Sequence, residues 1–174
     1  MRNTKRAGEL AEILFLYQAT ARGMIVTQPY GDNARYDFAV DNGARFVRVQ
    51  VKSCGAPPRG NHYNLNVGRH SQSGAKPYLP SEIDILAAYI VPESRWYLFP
   101  VAFLDGRLNL KIHIQDHEGS RFWDYVEAWD LLRAPEPEPS PIPKPRVAQA
   151  SPLLACLGLL TRSVRNGWSA CTSR

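Results

Sequence analysis

Cysteine is scarce in this chain. Cys54, Cys156 and Cys171 are odd in number, far apart, and at no spacing that suits a metal. A disulfide framework and a structural zinc site are therefore excluded as the basis of the fold, and Cys54 reads as an ordinary thiol with no matched His or Asn beside it. Long apolar runs are missing as well. The run Leu153 to Leu160 is far shorter than the roughly 20 residues that cross a bilayer. Met1 to Arg6 is charged and leads into an amphipathic segment without an apolar signal-peptide core, so a soluble cytoplasmic protein without a membrane partner is expected. Histidine is thin too: His113 and His117 stand four apart, but Gln115-Asp116 and Glu118-Gly119 around them read as loop, not as a zinc helix. No internal repeat is present.

What remains is an ordinary globular composition, 174 residues with 44% hydrophobic content, enough for one sizeable core. The net charge of +5 is uneven. Residues 1–80 carry 11 Lys and Arg against 5 Asp and Glu, and residues 81–133 carry 5 against 9. A basic excess concentrated in one stretch is what a nucleic-acid footprint looks like, although asymmetry of this size also arises by chance. From Ala134 the composition changes: six prolines between Pro135 and Pro145 favour extended polyproline conformations and cannot pack a core. The expected division is a folded domain over 1–133 and a mostly disordered Pro-rich extension over 134–174.

Within the first part, Thr4 to Arg22 reads as a helix with Leu10, Ile13, Leu14 and Tyr17 as its apolar stripe and Gly23 as its stop. Met24 to Gln28, His62 to Val67, Ile83 to Val91 and Trp96 to Val101 read as strands, the second of these as a third antiparallel strand beside a central hairpin. Phe122 to Leu132 reads as a second helix. Helix, a run of strands, then helix is the order of an α+β fold.

The hairpin is the most informative element. Asn42-Gly43 lies between two alternating runs, the strongest short-range hairpin signal. With Asn42 and Gly43 as a two-residue loop, Asp37 falls opposite Arg48 and diagonal to Gln50. Alternation puts Phe46, Arg48, Gln50 and Lys52 on one face and Val47, Val49 and Val51 on the other. Asp37 shares the first face, within the roughly 7–8 Å diagonal reach of Gln50. Singly, each residue has a plain structural reading: a turn aspartate, a solvated edge glutamine, an edge lysine that discourages aggregation. Together, an acid, an amide and an ammonium beside an apolar face suit a metal-dependent phosphodiesterase.

The order Asp37, then Gln50-Val51-Lys52, resembles the core of the PD-(D/E)XK nuclease superfamily, with Gln50 where an acid is usual and Tyr36 where proline is usual. Gly8-Glu9, Pro29 to Asn33, Arg35-Tyr36-Asp37, Val49 to Lys52 and Glu127 to Leu132 together resemble the intron-associated members, relatives of a group I intron homing endonuclease that also uses Gln. The likeness covers about residues 1–133 and none of the tail. It implies a restriction-endonuclease-like central mixed β-sheet flanked by helices. It also implies Mg²⁺ held by Asp37, Glu9, the Gln50 amide oxygen and the Val51 carbonyl, with Lys52 acting on the attacking water and the phosphorus. Glu9 alone would serve equally well as first-turn stabilisation of the helix dipole.

Double-stranded DNA is the implied partner. Arg35, Arg48, Ser53, Arg59, Arg69, His70 and Lys76 are the candidate contacts, several of them in the loops Cys54 to Asn61 and Gly68 to Pro80. Asp84, amid apolar neighbours, reads as the partner of a basic residue. Cutting both strands calls for two active sites, hence a homodimer or homotetramer. The alternatives are a non-catalytic nucleic-acid-binding domain of the same fold, or an unrelated basic α+β binding protein.

Overall fold

Helix α1 (Thr4–Ala21) forms where expected but buries a different face. Ala11, Phe15 and Ala19 are buried, whereas Leu10, Ile13 and Tyr17 of the expected stripe are exposed. The two alanines let the helix backbone come close to a sheet, so that Phe15 alone inserts between Phe38, Trp96 and Trp129. Gly23, at φ 78°, ends the helix, and Met24 N–H donates to the Ala19 carbonyl at 3.1 Å. The structure, a computed structural model, describes residues 4–134 apart from 32, 56–59, 72 and 115–117. Arg59, His117 and the extension beyond Ala134 lie outside the described residues. Backbone contacts divide the chain into residues 1–136 and 137–174.

Strand β1 (Ile25–Thr27) pairs with β2 (Phe38–Asp41), which turns back into β3 (Phe46–Cys54). The turn is wider than a two-residue loop. Asp41 faces Phe46, so Asn42 to Arg45 form the loop. The Asn42 side-chain oxygen accepts from Ala44 N–H at 3.1 Å and Arg45 N–H at 2.9 Å, and Gly43 alone takes positive φ, at 83°. An Asx-capped loop has displaced the primed turn. The register moves by two residues, which preserves every face, and Asp37 comes directly opposite Gln50 instead of diagonal to it.

The chain then makes β4 (His62–Asn66), β5 (Arg69–Ser71) and β6 (Gly74–Lys76) before returning as β7 (Ile85–Ile90) and β8 (Arg95–Pro100). β7 lies parallel to β3, and the sheet order is β1-β2-β3-β7-β8. Parallel neighbours need a long crossover, and the crossover here is built from strands. Hence β4 is not a third strand of the hairpin. After the short helix α2 (Val101–Leu104) it pairs antiparallel with β9 (Asn109–His113), a strand the sequence did not signal. This ribbon covers the face of the sheet opposite α1, with Tyr63, Leu65, Leu110 and Ile112 packed among Leu86, Ile90, Tyr97 and Phe99.

The second expected helix does not form. Residues 122–132 make two 3-10 turns, Trp123–Tyr125 and Trp129–Leu132, separated by Val126, which bridges to Tyr97, and by Glu127 at φ 49°. Glu127 is committed to the edge of β8: its carboxylate accepts from Trp96 N–H at 2.8 Å and Trp129 Nε1 at 2.7 Å, and its N–H donates to the Trp96 carbonyl at 3.0 Å. These bonds cover an open strand edge and leave no backbone for a helix.

Asp84 fastens the parallel crossover. Its carboxylate accepts from Arg48 N–H at 2.8 Å and from the Arg48 guanidinium at 3.0 and 3.2 Å, and Arg45 approaches within 3.1 Å. The carbonyls of Pro80 and Ser81 take the rest of the Arg48 guanidinium. Burial pushes the Asp84 carboxyl up, but the bonds from Arg48 and Arg45 prevail and hold it below its ordinary value. A lowered folded value means stability that is present above the unfolded pKa and lost as pH falls through the folded one. Asp84→Ala should therefore destabilise the protein by about 2 kcal/mol at neutral pH. In urea melts that difference should shrink below the ordinary carboxylate range; a pH-independent difference would contradict the ion-pair account.

Candidate active site

The site lies where β2 and β3 part from the loop that precedes them. Asp37 stands one residue before β2, its N–H bonded to the Val49 carbonyl at 2.9 Å, which aims its half-buried carboxylate across at β3. Oδ2 accepts from Gln50 Nε2 at 2.5 Å and from Val51 N–H at 2.7 Å. Among the described residues nothing donates to Oδ1. Since the Gln50 NH₂ group faces Asp37 and the Val51 carbonyl (3.2 Å), its Oε1 is turned away and has no protein partner among the described residues. Lys52 follows on the same face, its Nζ 5.7 Å from the centre of the Tyr78 ring. Burial together with Asp37 and Glu82 pushes the Tyr78 hydroxyl up to about 12, so the ring beside Lys52 is neutral.

The helix contributes Glu12, not Glu9. Glu9 is exposed and pairs with Lys5 at 4.0 Å. Glu12, next to the buried Ala11, lines with Asp37, Gln28, Pro29 and Tyr36 a cleft of about 450 Å³. The expected apolar stripe turned the helix by a different angle, which favoured Glu9 over the Glu12 that lines the cleft. The spacing Ala11, Phe15, Ala19 was the signal that could have found Glu12, but four larger apolar residues outweighed it.

Burial pushes every ionisable group here toward neutrality. It raises Asp37, against the pull of the Val51 N–H, Lys52 and Gln50. It raises Glu12, helped by the negative charges of Asp37 and Glu9. It lowers Lys52, although Asp37 and Glu12 oppose the shift. Three charged groups held against desolvation in one cleft mark a functional site. With the Gln50 amide reversed, so that its oxygen replaces the NH₂ beside Asp37 and the Val51 carbonyl, the donor set fits a hard divalent cation: two carboxylates, an amide oxygen and a backbone carbonyl. Among the described residues no cluster of three His, Cys, Asp or Glu exists that would hold a metal by itself.

The other expected residues separate into two groups. Arg35, Arg69, His70 and Lys76 come together, with Ser71 and Ser73, around a second cleft of about 680 Å³ on the β5–β6 hairpin. Arg69 is bound there by Glu82 at 3.1 Å, and Arg35 stands 3.9 Å from the same carboxylate. Arg48 and Ser53 do not join them. Arg48 is consumed by Asp84, and Ser53 falls on the α1 face of β3, away from Lys52, because side chains alternate.

A five-stranded mixed sheet with one long helix against it and an acid–amide–lysine hairpin among its inner strands is the architecture of a restriction-endonuclease-like α+β protein. The chain belongs to the PD-(D/E)XK endonuclease family, whose model matches residues 2–132. Among solved structures it is similar to a bacterial homing endonuclease, I-Ssp6803I, at 27% identity and a TM-score of 0.64, covering 75% of this chain and 93% of that one. MepB is more distant, at 14% identity and a TM-score of 0.37, covering 63% of this chain and 84% of that one. A comparison with curated proteins gave no match. Membership of an endonuclease family removes the reading of an unrelated basic binding protein.

Proposed function

We propose that the protein is a Mg²⁺-dependent endonuclease that hydrolyses phosphodiester bonds in double-stranded DNA, of the intron-associated homing type. The observation that carries the reading is the convergence of Asp37, Gln50, the Val51 carbonyl, Lys52 and Glu12, with Asp37 Oδ1 and Gln50 Oε1 both open. The homing role rests on the likeness to a bacterial homing endonuclease. Asp37, Glu12 and Gln50 would hold the cation by oxygen. Bound there, Mg²⁺ supplies neutralisation of the scissile phosphate and a more acidic water. The Lys52 ammonium orients the attacking water and stabilises charge developing on the phosphoryl oxygens. Because Gln50 stands in place of a carboxylate, phosphate oxygens complete the site, and calorimetry without DNA should show only weak Mg²⁺ binding.

The test is nicking of supercoiled plasmid with Mg²⁺ or EDTA, by the native protein and by Asp37→Ala. Cleavage that needs both metal and Asp37 supports the reading. Salt-sensitive binding without cleavage would favour the non-catalytic domain. In the same assay Glu12→Gln should lower the cleavage rate roughly 100-fold, while Glu9→Gln should leave it nearly unchanged. The reverse order would return Glu9 to the site.

Double-strand cleavage by a chain with one such site requires a second copy, and α1 offers a surface for it. Leu10, Ile13, Leu16 and Tyr17 are exposed along one side of the helix, an apolar strip of the kind that marks an interface. Ile13→Lys should convert a homodimer or homotetramer to smaller species by light scattering without changing the melting temperature by more than a few degrees. An unchanged mass would place the interface elsewhere.

A further inference from the structure

The outward face of the β4–β9 ribbon is made of polar and basic side chains alone. Its cross-strand pairs are His62 with His113, Asn64 with Lys111 and Asn66 with Asn109. The opposite face buries Tyr63, Leu65, Leu110 and Ile112, so the outward side chains stand on a rigid platform. None is acidic and none is apolar. Asn66 spends its oxygen on Gly68 N–H at 2.9 Å and belongs to the turn, but among the described residues no hydrogen bond occupies the side chains of Asn64, Asn109 or Lys111.

Beside this face lies a cleft of about 430 Å³ lined by Arg107, Asn109, Lys111, His113, Ser120 and Arg121. Its cations differ from most arginines of the domain. Arg22, Arg45, Arg48, Arg69 and Arg133 each have a carboxylate within 4.0 Å. Among the described residues Arg107, Lys111 and Arg121 have none. Arg107 reaches only the Phe103 carbonyl, at 3.5 Å, and Arg121 lies over the rings of Phe103 and Phe122 at 5.9 and 5.6 Å. The Ser120 hydroxyl, buried in the same wall, has no hydrogen-bond partner among the described residues. Uncompensated positive charge with a spare donor fits a phosphate.

We infer that the β4–β9 ribbon is a sequence-reading DNA surface, separate from the hydrolytic site. The two asparagines and Lys111 face base edges, and Arg107 and Arg121 grip the flanking backbone. A two-stranded ribbon fits the major groove, which is about 12 Å wide. Asparagine pairs with both exposed edge atoms of adenine, and lysine with the acceptors of guanine. Arginines at the border set the register without reading sequence. One strand of the ribbon, β4, lies in the crossover that leads away from Lys52 and back to β7, and its partner β9 follows β8 and α2, so the ribbon packs on the sheet that carries Lys52.

The inference rests on the nuclease reading, and the experiment separates their failures. Full-length protein carrying Lys52→Met, to prevent cutting, is used to select from a randomised duplex pool, alone and with Asn64→Ala or Asn109→Ala added. Each added change should relax the enriched sequence at one or two base pairs, with about tenfold less discrimination there. Arg107→Ala with Arg121→Ala should reduce the slope of log affinity against log salt by about two on a generic duplex. Unaltered selection and an unaltered slope would overturn the ribbon while leaving the nuclease intact. Failure of the native protein both to bind duplex and to nick plasmid would overturn both.

Discussion

Lys52→Met should lower the single-turnover cleavage rate by about 10²–10³-fold and leave affinity for duplex DNA within a few-fold. Methionine keeps the unbranched stem that packs near Tyr78 and removes only the ammonium, so the experiment isolates charge. That charge is badly placed for stability: burial pushes the Lys52 amine down, and only Asp37 and Glu12 hold it up. A protein keeps such a group where its benefit appears at another moment. Charge builds on the phosphoryl oxygens in the transition state, beside the half-buried Lys52, where a fixed ammonium is worth most. The ground-state complex gains much less, which is why binding should survive. The metal-free variant should also melt no lower than the native protein, because a desolvated ammonium has been replaced by an apolar group. Lower activity without lower stability would identify a residue kept for chemistry. Cleavage at the native rate would remove Lys52 from the mechanism, and loss of DNA binding would make it a docking group.

The sequence carried the hairpin well because valine alternation is a parity signal. Val47, Val49 and Val51 bury one face whatever the turn, so Gln50, Lys52 and Asp37 were grouped correctly even though the loop is wider and the register moves by two. Helix α1 shows the opposite case. Hydrophobicity counts Leu10, Ile13 and Tyr17 as core, but a helix lying close to a sheet selects small residues, and Ala11 and Ala19 have almost no weight in such a count. The choice of Glu9 in place of the Glu12 that lines the cleft followed from that count. The parallel return of β7 and the pairing of β4 with β9 depend on contacts distant in sequence, which periodicity does not report. Residues 122–132 look helical, yet Glu127 gains more from capping the edge of β8 and bonding Trp129 than a helix would return. The engagement of Arg48 is a similar case: a basic residue on a strand is visible in sequence, whereas the carboxylate that occupies it, 36 residues away, is not.

Phe15→Ala should be the most damaging single change outside the cleft, costing about 3–5 kcal/mol. Phe15 is fully buried, with ring centres 5.3 Å from Phe38, 5.6 Å from Trp129 and 5.8 Å from Trp96. Its fully buried neighbours on the helix are alanines, so no other large side chain of α1 can compensate for the cavity. Since a domain of this size has roughly 5–15 kcal/mol in total, about a fifth or more of its stability is at stake. Phe46→Ala provides the comparison: the same side chain, 57% exposed on β3, whose loss should cost less than about 1 kcal/mol. Urea melts followed by tryptophan fluorescence suit the pair, because Trp96 and Trp129 touch the Phe15 ring directly. The change should also reach the cleft. Glu12 stands one turn before Phe15 on the same helix, so a loosened α1 should reduce cleavage by the fraction that remains folded, while Phe46→Ala does not. Equal destabilisation by the two substitutions would mean that α1 packs through its apolar stripe after all, and Glu12 would then lose its place beside Asp37.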